Sequence, residues 1–438
     1  MKKILVFPSD MGGGFGHIGR CLNFAARLKR EGHRPAFALN GFHAQRVEKQ
    51  GYPAFLLGWD RESLWKRLAR KFSRQETEGP VFHAVHGLDY QVVRDGIYNR
   101  EIAASRLEDC LGVIDTFKPD LLVGDTHLFV AMAGAVRKIP VLQNVRAAIH
   151  PDARPRPFLR EAEGALQRPL AGKILNPLLT ARGLDPVERT EDLLRGDLIL
   201  IPSIPRIDPA PEVLRYPTEH IGTLLFHESN EEESVRPDAL FPSTRKIVYV
   251  TIGGGAGPEG GGWLFDILRR VCPGMDANFI ISVSPKYDPS RLGAFGSNTV
   301  MFRWVKALEV MKNSDLVLFP GGYGTAMTVW SMGIPSLVIP SHSDPEYNGR
   351  KIQDLGAGLV LFPFTEKMET LAIPEPPGGT VGIYSEVSLT PEIVRTHLNR
   401  LLGEAHFSDR AGEMGRMTQR FRETEGEKIF QKILKEML

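Results

Sequence analysis

Residues 320–348 read PGGYGTAMTVWSMGIPSLVIPSHSDPEYN, and this stretch decides the fold class of the chain. The apolar run at 316–319 predicts a buried strand, and the glycine turn after it predicts the start of a helix. A second short strand is predicted at 336–339, before Asp344 and Asn348. Strand, glycine turn, helix and strand form the pattern of a parallel sheet, whose ligands usually lie beyond the carboxyl ends of the strands.

The glycines of this stretch, Gly321, Gly322 and Gly324, indicate a sharp turn that leaves the first backbone N–H groups of the helix facing outward. Such a helix start attracts phosphate, because the helix dipole is positive there. Asp344 and Asn348 are expected at the same edge of the sheet. The layout therefore predicts a site for a nucleotide diphosphate that carries a polar group.

The first half of the chain alternates strand and helix patterns. Apolar runs predict strands at 4–7, 35–39, 121–123 and 141–142, and helical periodicity predicts a helix at 18–29 and a long helical region at 82–117. This alternation indicates a doubly wound α/β sheet. Residues 151–195 lose the pattern, and their Pro- and Arg-rich sequence predicts a loop-and-helix insertion that serves as a substrate lid.

The pattern begins again after Gly222. A strand is predicted at 246–252, followed by a glycine loop at 253–257 and a helix at 263–271. We therefore predict two Rossmann-like doubly wound domains facing a central cleft, one at 1–222 and one at 223–438. The Pro- and Gly-rich residues 368–388 are expected to form a surface excursion. The helical residues 392–438 are expected to end by packing back on the first domain.

Composition narrows the class of protein. A chain of 438 residues with 42% hydrophobic content has the size of two globular domains, and a net charge of +2 gives no sign of a nucleic-acid-binding protein. The three cysteines are scattered and the initial apolar run is too short for a secretory signal, so we expect a cytoplasmic protein. Residues 63–74 have leucines on one face and basic residues around them. This pattern fits either a surface helix or a peripheral membrane contact.

The loop after the first strand, Gly14-Phe15-Gly16-His17-Ile18-Gly19, matches the dinucleotide-binding fingerprint. That fingerprint requires an acidic residue at the end of the second strand to bind a ribose, and Asn40 occupies this place. Hydride transfer is therefore the weaker interpretation. The loop instead presents a histidine, His17, at the start of a helix, where it either caps the helix or faces a ligand.

These segments together resemble GT-B glycosyltransferases. The resemblance rests on Gly16-His17 and its helix, on the strand that ends in Asp125, on VYVTIG at 248–253, and on the segment that runs from GGYGT at 321–325 to Asp344 and Asn348. It is strongest to the UDP- or TDP-sugar-dependent family, the family 1 type, and more distant to the family 28 type. It covers most of the chain but is patchy at 151–195 and 368–388.

The resemblance implies a role for each matching residue. It makes His17 the general base and Asp125 the residue that orients it, although Asp125 could instead cap the next helix. It implies a nucleotide diphosphate sugar as co-substrate, with no metal and no other cofactor. The implied donor-binding residues are Gly253, Gly254, Trp304, Val305, Gly321, Gly322, Gly324, Thr325, Asp344 and Asn348, and Gly14 and Gly16 belong to the acceptor-side loop.

The chemistry agrees with this assignment. A hydroxyl group is a poor nucleophile, so a base with a pKa near neutrality helps it to attack, and histidine has such a pKa. A buried carboxylate such as Asp125 fixes the tautomer of the histidine and stabilises the imidazolium that forms. The sequence contains no Asp-x-Asp metal pair, so backbone donors and a helix dipole are expected to stabilise the leaving diphosphate.

Three positions differ from the family's usual carboxy-terminal signature. Pro320 stands where a histidine normally contacts the diphosphate, Thr328 where a glutamate normally binds the ribose, and Pro345 where a glutamine or similar residue follows the sugar-binding aspartate. The expected function is an inverting, metal-independent glycosyltransferase that acts on a small-molecule or lipid-like acceptor. The alternatives are a nucleotide-sugar epimerase and a degenerate binding protein without turnover.

Overall fold

The structure is a computed structural model, and it describes residues 1–9, 15–58, 80–84, 87–154, 174–225, 237–241, 244–253, 262–283, 287–373 and 378–438. Three sequence predictions lie outside these residues: the acceptor-side Gly14, the donor-side Gly254, and the helix at 63–74. The predicted lid at 151–195 is described only in part.

The described residues of the first half alternate strands and helices, as the sequence predicts. The strands are β1 (Lys3–Pro8), β2 (Arg34–Leu39), β3 (Ala54–Leu56), β4 (Phe82–Ala84), β5 (Leu121–Asp125), β6 (Val141–Asn144), β7 (Leu198–Ile201) and β8 (Thr218–His220). The α-helices are α1 (Phe15–Arg30), α2 (Gly41–Lys49), α3 (Asp89–Arg94), α4 (Arg100–Phe117), α5 (Val130–Arg137) and α6 (Asn176–Thr180). Short 3₁₀ turns occupy Ala147–Ile149 and Thr190–Leu194.

Seven of the described strands form one parallel sheet in the order β3-β2-β1-β5-β6-β7-β8. Helices cover both faces: Leu107 and Leu111 of α4 pack on one face, and Leu22 and Phe24 of α1 pack on the other. In the parallel register Asp125 lies beside Pro8 on one neighbouring strand and beside Asn144 on the other. The last residues of these three strands therefore share one edge of the sheet.

The second half repeats this architecture. Its strands are β9 (Ile247–Thr251), β10 (Asn278–Ser282), β11 (Thr299–Phe302), β12 (Leu316–Phe319), β13 (Ser336–Val338), β14 (Gly358–Val360), β15 (Glu369–Ile373) and β16 (Gly379–Tyr384). Its α-helices are α7 (Pro237–Leu240), α8 (Gly262–Val271), α9 (Ala307–Lys312), α10 (Tyr323–Met332), α11 (Ser343–Asp354), α12 (Pro391–Gly403), α13 (Ala405–Phe421) and α14 (Glu427–Met437).

Six of the described strands in this half form a second parallel sheet in the order β11-β10-β9-β12-β13-β14. Its two faces are covered by separate apolar clusters, one containing Met327 and Trp330 of α10 and the other containing Leu268 of α8 and Leu398 of α12. The predicted fold class, two Rossmann-like doubly wound units, is confirmed. The exact boundary between 222 and 223 stays a prediction.

Two sequence predictions of local structure are wrong. Residues 82–84 form β4 rather than the start of a long helical region, and β4 pairs antiparallel with β16. Residues 368–388 are not a plain surface excursion, because β15 and β16 form a hairpin there that buries Val381, Ile383 and Tyr384. The Phe82 ring lies within an aromatic cluster of Phe362, Phe364 and Tyr384, and this burial holds the strand in place.

The end of the chain packs on the first sheet unit. The last helix, α14, follows a π-helical segment at Arg422–Gly426 and places Phe430, Ile433 and Leu434 in the apolar cluster around β1 and α1. The rings of Phe24 and Phe430 meet edge to face with centroids 5.1 Å apart. Helix α13 instead packs against α10 of the second unit, so consecutive helices hold the two units together.

Candidate active site

His17 and Asp125 form a hydrogen-bonded pair at the carboxyl edge of the first sheet. His17 lies in the first turn of α1, and its Nδ1 is 2.6 Å from Oδ1 of Asp125, the last residue of β5. The His17 side chain is 30% exposed, whereas that of Asp125 is 1% exposed. An ionised carboxylate accepts hydrogen bonds only, so Nδ1 carries the proton and Nε2 is the nitrogen with a free lone pair.

Asp125 does not cap the next helix. That helix, α5, has Phe129 at its N-cap position, with no side-chain cap hydrogen bond. The Asp125 carboxylate instead accepts two hydrogen bonds from Arg20, from Nε at 2.9 Å and from Nη2 at 2.6 Å, and one from the amide of Asn144. The buried carboxylate therefore accepts four hydrogen bonds from three side chains of α1 and β6.

The charges around the pair set its protonation. Although burial opposes ionisation, the Arg20 guanidinium and the hydrogen bond with His17 hold the pKa of Asp125 well below its usual value. Burial and the charge of Arg20 lower the pKa of His17, while Asp125 acts in the opposite direction. His17 is thus neutral at pH 7 and able to accept a proton.

The glycine turn after β12 has the conformation that the sequence predicts. Gly321 has φ of +92°, and a Cβ atom there would lie 2.3 Å from the Pro345 carbonyl oxygen. Gly322 is the N-cap of α10 and has open space around it. The buried Asn348 donates from Nδ2 to the Gly321 carbonyl oxygen at 2.8 Å, so its side chain holds the turn rather than extending toward a sugar.

The two sheet units meet at these glycine positions. A Cβ atom on Gly324 would lie 3.7 Å from Cα of Gly16, so the start of α10 lies against the start of α1. Tyr323, the first residue of α10, has guanidinium groups on its ring from Arg20 at 5.6 Å and Arg146 at 5.3 Å. The His17 pair and the predicted diphosphate turn are therefore neighbours, although His17 itself is more than 300 residues from the turn in the sequence.

Two ion pairs cross between the units near this point. Arg146, just after β6, pairs with Asp344 in the first turn of α11. The buried Asp208 pairs with Lys351 of α11 and accepts a hydrogen bond from the Tyr323 hydroxyl at 3.2 Å. The carboxylate predicted to face the donor sugar is thus held by an arginine of the other unit in this structure.

The remaining predicted donor residues divide into two groups. Gly253 lies two residues after the end of β9 with φ of +70°, and Thr325 is partly exposed in the first turn of α10. Trp304 is partly exposed, with the Arg46 guanidinium 6.0 Å from its ring. Val305 differs, because it is buried in the core of the second unit and is placed to support a site rather than to line one.

Four residues of the site were not predicted from the sequence: Arg20, Asn144, Arg146 and Tyr323. Arg20 follows His17 by one helical turn, and this spacing would have placed both on one face of α1. Asn144 ends β6, the strand next to β5, and Arg146 follows it, so their position at the same sheet edge was readable. Their contacts with Asp125 and Asp344 were not readable, because these contacts join residues of different strands and helices.

Neither a metal cluster nor a membrane span is found in the part of the chain that the structure describes. No group of three or more His, Cys, Asp or Glu side chains there could hold a metal ion. No helix among the same residues is both long and apolar enough to cross a bilayer. The cytoplasmic location and the membrane contact through 63–74 stay predictions.

The sequence of this chain is similar to those of named glycosyltransferases. A family model described as the C-terminal domain of erythromycin biosynthesis protein CIII-like proteins matches residues 267–374. An uncharacterized glycosyltransferase of Methanosarcina acetivorans is 25% identical over 370 residues, covering 82% of this chain and 85% of the relative. Demethyllactenocin mycarosyltransferase of Streptomyces fradiae is 24% identical over 412 residues, covering 89% of this chain and 80% of the relative.

Solved structures show the same fold over the whole length. The spinosyn forosaminyltransferase SpnP has a TM-score of 0.66 at 17% identity and covers 100% of this chain and 99% of its own. The spinosyn rhamnosyltransferase SpnG complexed with thymidine diphosphate has a TM-score of 0.64 at 16% identity. It covers 95% of this chain and 96% of its own. The chain has the GT-B fold, and its homologues and structural neighbours are named glycosyltransferases.

Proposed function

We propose that this protein is an inverting, metal-independent glycosyltransferase. It transfers a sugar from a nucleoside diphosphate sugar to a hydroxyl group of a small-molecule or lipid-like acceptor. The observation that carries the proposal is the hydrogen-bonded pair of His17 and Asp125 beside the glycine turn of the second unit. A base and a phosphate-attracting helix start then lie on opposite sides of one reaction site.

The geometry supports a single displacement. The acceptor hydroxyl donates its proton to Nε2 of His17, its oxygen attacks the anomeric carbon, and the bond to the nucleoside diphosphate breaks. Asp125 keeps the proton of Nδ1 in place and stabilises the imidazolium. Because its carboxylate is 1% exposed and bonded to Arg20, it is unavailable as a covalent nucleophile. One displacement inverts the configuration of the anomeric carbon.

The start of α10 supports the departure of the leaving group. Its first amides and the positive end of its dipole favour the negative charge that develops on the diphosphate. Gly321 and Gly322 place no side chains directly before this helix start. Pro320 stands where the family resemblance implies a histidine that contacts the diphosphate. The backbone N–H groups of the turn therefore make a larger share of the diphosphate contacts in this chain.

The relatives suggest the kind of substrate. The spinosyn rhamnosyltransferase SpnG is solved in one structure with thymidine diphosphate and in another with the spinosyn aglycone. A further relative is the NDP-glycosyltransferase YjiC of Bacillus subtilis, 22% identical over 368 residues. We therefore infer a UDP- or TDP-linked hexose as donor and an aglycone-like hydroxyl compound as acceptor.

The first test is substitution of the base. A thermal-shift panel of UDP- and TDP-sugars on the wild-type protein identifies the donor, because a ligand of the folded state raises Tm. With that donor and a panel of hydroxylated aglycones, His17→Ala is expected to lower kcat by about 10²–10⁴-fold while donor binding persists. Product formation is measured by mass spectrometry, and the anomeric configuration by NMR.

A matched control is His397→Ala, which removes a partly exposed histidine on α12, away from the proposed site. It is expected to leave kcat unchanged. Transfer by His17→Ala at the wild-type rate would refute the assignment of the base. Conversion of a nucleotide sugar into its epimer without acceptor would instead favour the epimerase, and failure of every nucleotide sugar to bind would favour the degenerate binding protein.

A further inference from the structure

Arg20 is buried in contact with both members of the His17 pair. Its side chain is 4% exposed, and its Nε and Nη2 atoms make the two hydrogen bonds to Asp125 described above. Nη2 also lies 2.9 Å from Nδ1 of His17. Two parallel hydrogen bonds fix the carboxylate plane of Asp125, and with it the direction of the bond from His17.

Arg20 is also held by the second unit. Its guanidinium lies 5.6 Å from the ring centroid of Tyr323, within the range of a cation–π contact. The Tyr323 hydroxyl donates to Asp208, so the ring position is fixed from its other end. Because Tyr323 is the first residue of α10, Arg20 connects the predicted diphosphate turn with the predicted base.

We propose that Arg20 is a positioning residue that orients Asp125 and, through it, the base His17, and that Tyr323 holds Arg20 in place. This inference rests on the proposed function. Through Tyr323, the second unit thereby contributes to the orientation and protonation of His17, a base that belongs to the first unit. A merely structural arginine would stabilise the fold without affecting the proton equilibrium of His17.

The charges that face His17 determine the direction in which its pKa is expected to move when Arg20 is replaced. Burial lowers the pKa of His17 most, Arg20 and Arg146 lower it as well, and Asp125 raises it. Loss of the Arg20 charge therefore raises the pKa of His17. The general base must be unprotonated to accept a proton. The acid limb of the profile of kcat against pH therefore moves to higher pH.

Three variants separate charge from geometry. Arg20→Met removes the charge, so we expect the His17 titration to move to higher pH and kcat to fall by about 10²-fold through misplacement of the base. Arg20→Lys keeps the charge but loses the bidentate bond, so kcat falls while the titration stays near that of the wild type. Tyr323→Leu removes the ring support, and we expect the titration to move in the same direction as in Arg20→Met.

The measurements are kcat and KM for the donor against pH, together with an NMR titration of labelled His17. The NMR titration needs no substrate, so it tests this inference even if no sugar transfer is found and the proposed function fails. Circular dichroism at each pH tests whether the variants are folded. A donor KM within about threefold of the wild type is expected for Arg20→Lys.

The chain offers a matched control in Arg27→Met. Arg27 is another buried arginine of α1, and it lies 5.5 Å from the ring of Phe430 rather than beside His17. Its substitution is expected to lower stability and leave the His17 titration unmoved. An unshifted His17 titration in Arg20→Met, or an equal shift in Arg27→Met, would overturn the inference.

Discussion

Asp344 illustrates how one residue connects the donor prediction with the contact between the sheet units. The family resemblance implies that its carboxylate faces the donor sugar, and the structure pairs it with Arg146. Its side chain is 29% exposed, so the carboxylate is accessible from the region between the units. A donor hydroxyl therefore reaches it by replacing or sharing the arginine contact.

Asp344→Ala is accordingly expected to weaken donor binding by about tenfold or more, because a hydrogen bond to a charged group contributes roughly 1.5–3 kcal/mol. Calorimetry with the donor found in the thermal-shift panel measures the change in Kd. Asp354→Ala, at the exposed end of the same helix, is the control and is expected to bind normally. Donor affinity that is insensitive to Asp344→Ala would show that the predicted sugar contact is wrong.

At the scale of elements, the turn between β12 and α10 shows why neighbouring glycines are not equivalent. Gly321 needs a left-handed backbone and has the Pro345 carbonyl against the place of its missing side chain. Gly322 has φ of −58° and nothing within 4 Å of a Cβ atom. The first glycine is required by the fold, and the second keeps the helix start accessible.

Gly321→Ala is therefore expected to lower the free energy of unfolding by at least about 1–2 kcal/mol, through the left-handed conformation alone, and the clash with Pro345 adds to this. Gly322→Ala is expected to cost less than about 1 kcal/mol. Urea denaturation measures both values. Equal stability of the two variants would contradict the turn geometry.

On the scale of the whole molecule, chain segments connect the two sheet units at several places. Strand β4 from the first half completes a sheet with β15 and β16 of the second half, and α14 crosses to the first unit. These connections limit how far the units can separate. Closure upon donor binding, which the placement of the reacting groups in different halves predicts, must occur within these limits.

Phe430→Ala tests the crossing of α14. The ring is fully buried against Phe24, and we expect its loss to lower the free energy of unfolding by about 3–5 kcal/mol. Lys432→Ala on the exposed face of the same helix is the control, with an expected change within about 0.5 kcal/mol. Wild-type stability of Phe430→Ala in urea denaturation would mean that α14 does not pack on the first unit.

The sequence by itself determined the repeated architecture and the identity of the central residues. Buried parallel strands are continuous apolar runs, so β1, β5, β9 and β12 were readable from local pattern. The turn glycines and His17 were readable for the same reason, because a strand, a glycine loop and a helix start follow one another along the chain. Sequence also placed Asp125 at the end of its strand.

Only the tertiary structure decided the partners of these residues. Arg20 and Asp125 are 105 residues apart, and Arg146 and Asp344 are 198 residues apart, so no local periodicity records their contacts. Strand β4 has three residues and exists because the second half supplies β16 and an aromatic cluster for Phe82. Local pattern reflects the burial and backbone preference of each segment, whereas long-range pairing depends on which buried surfaces and charges meet once the whole chain has folded.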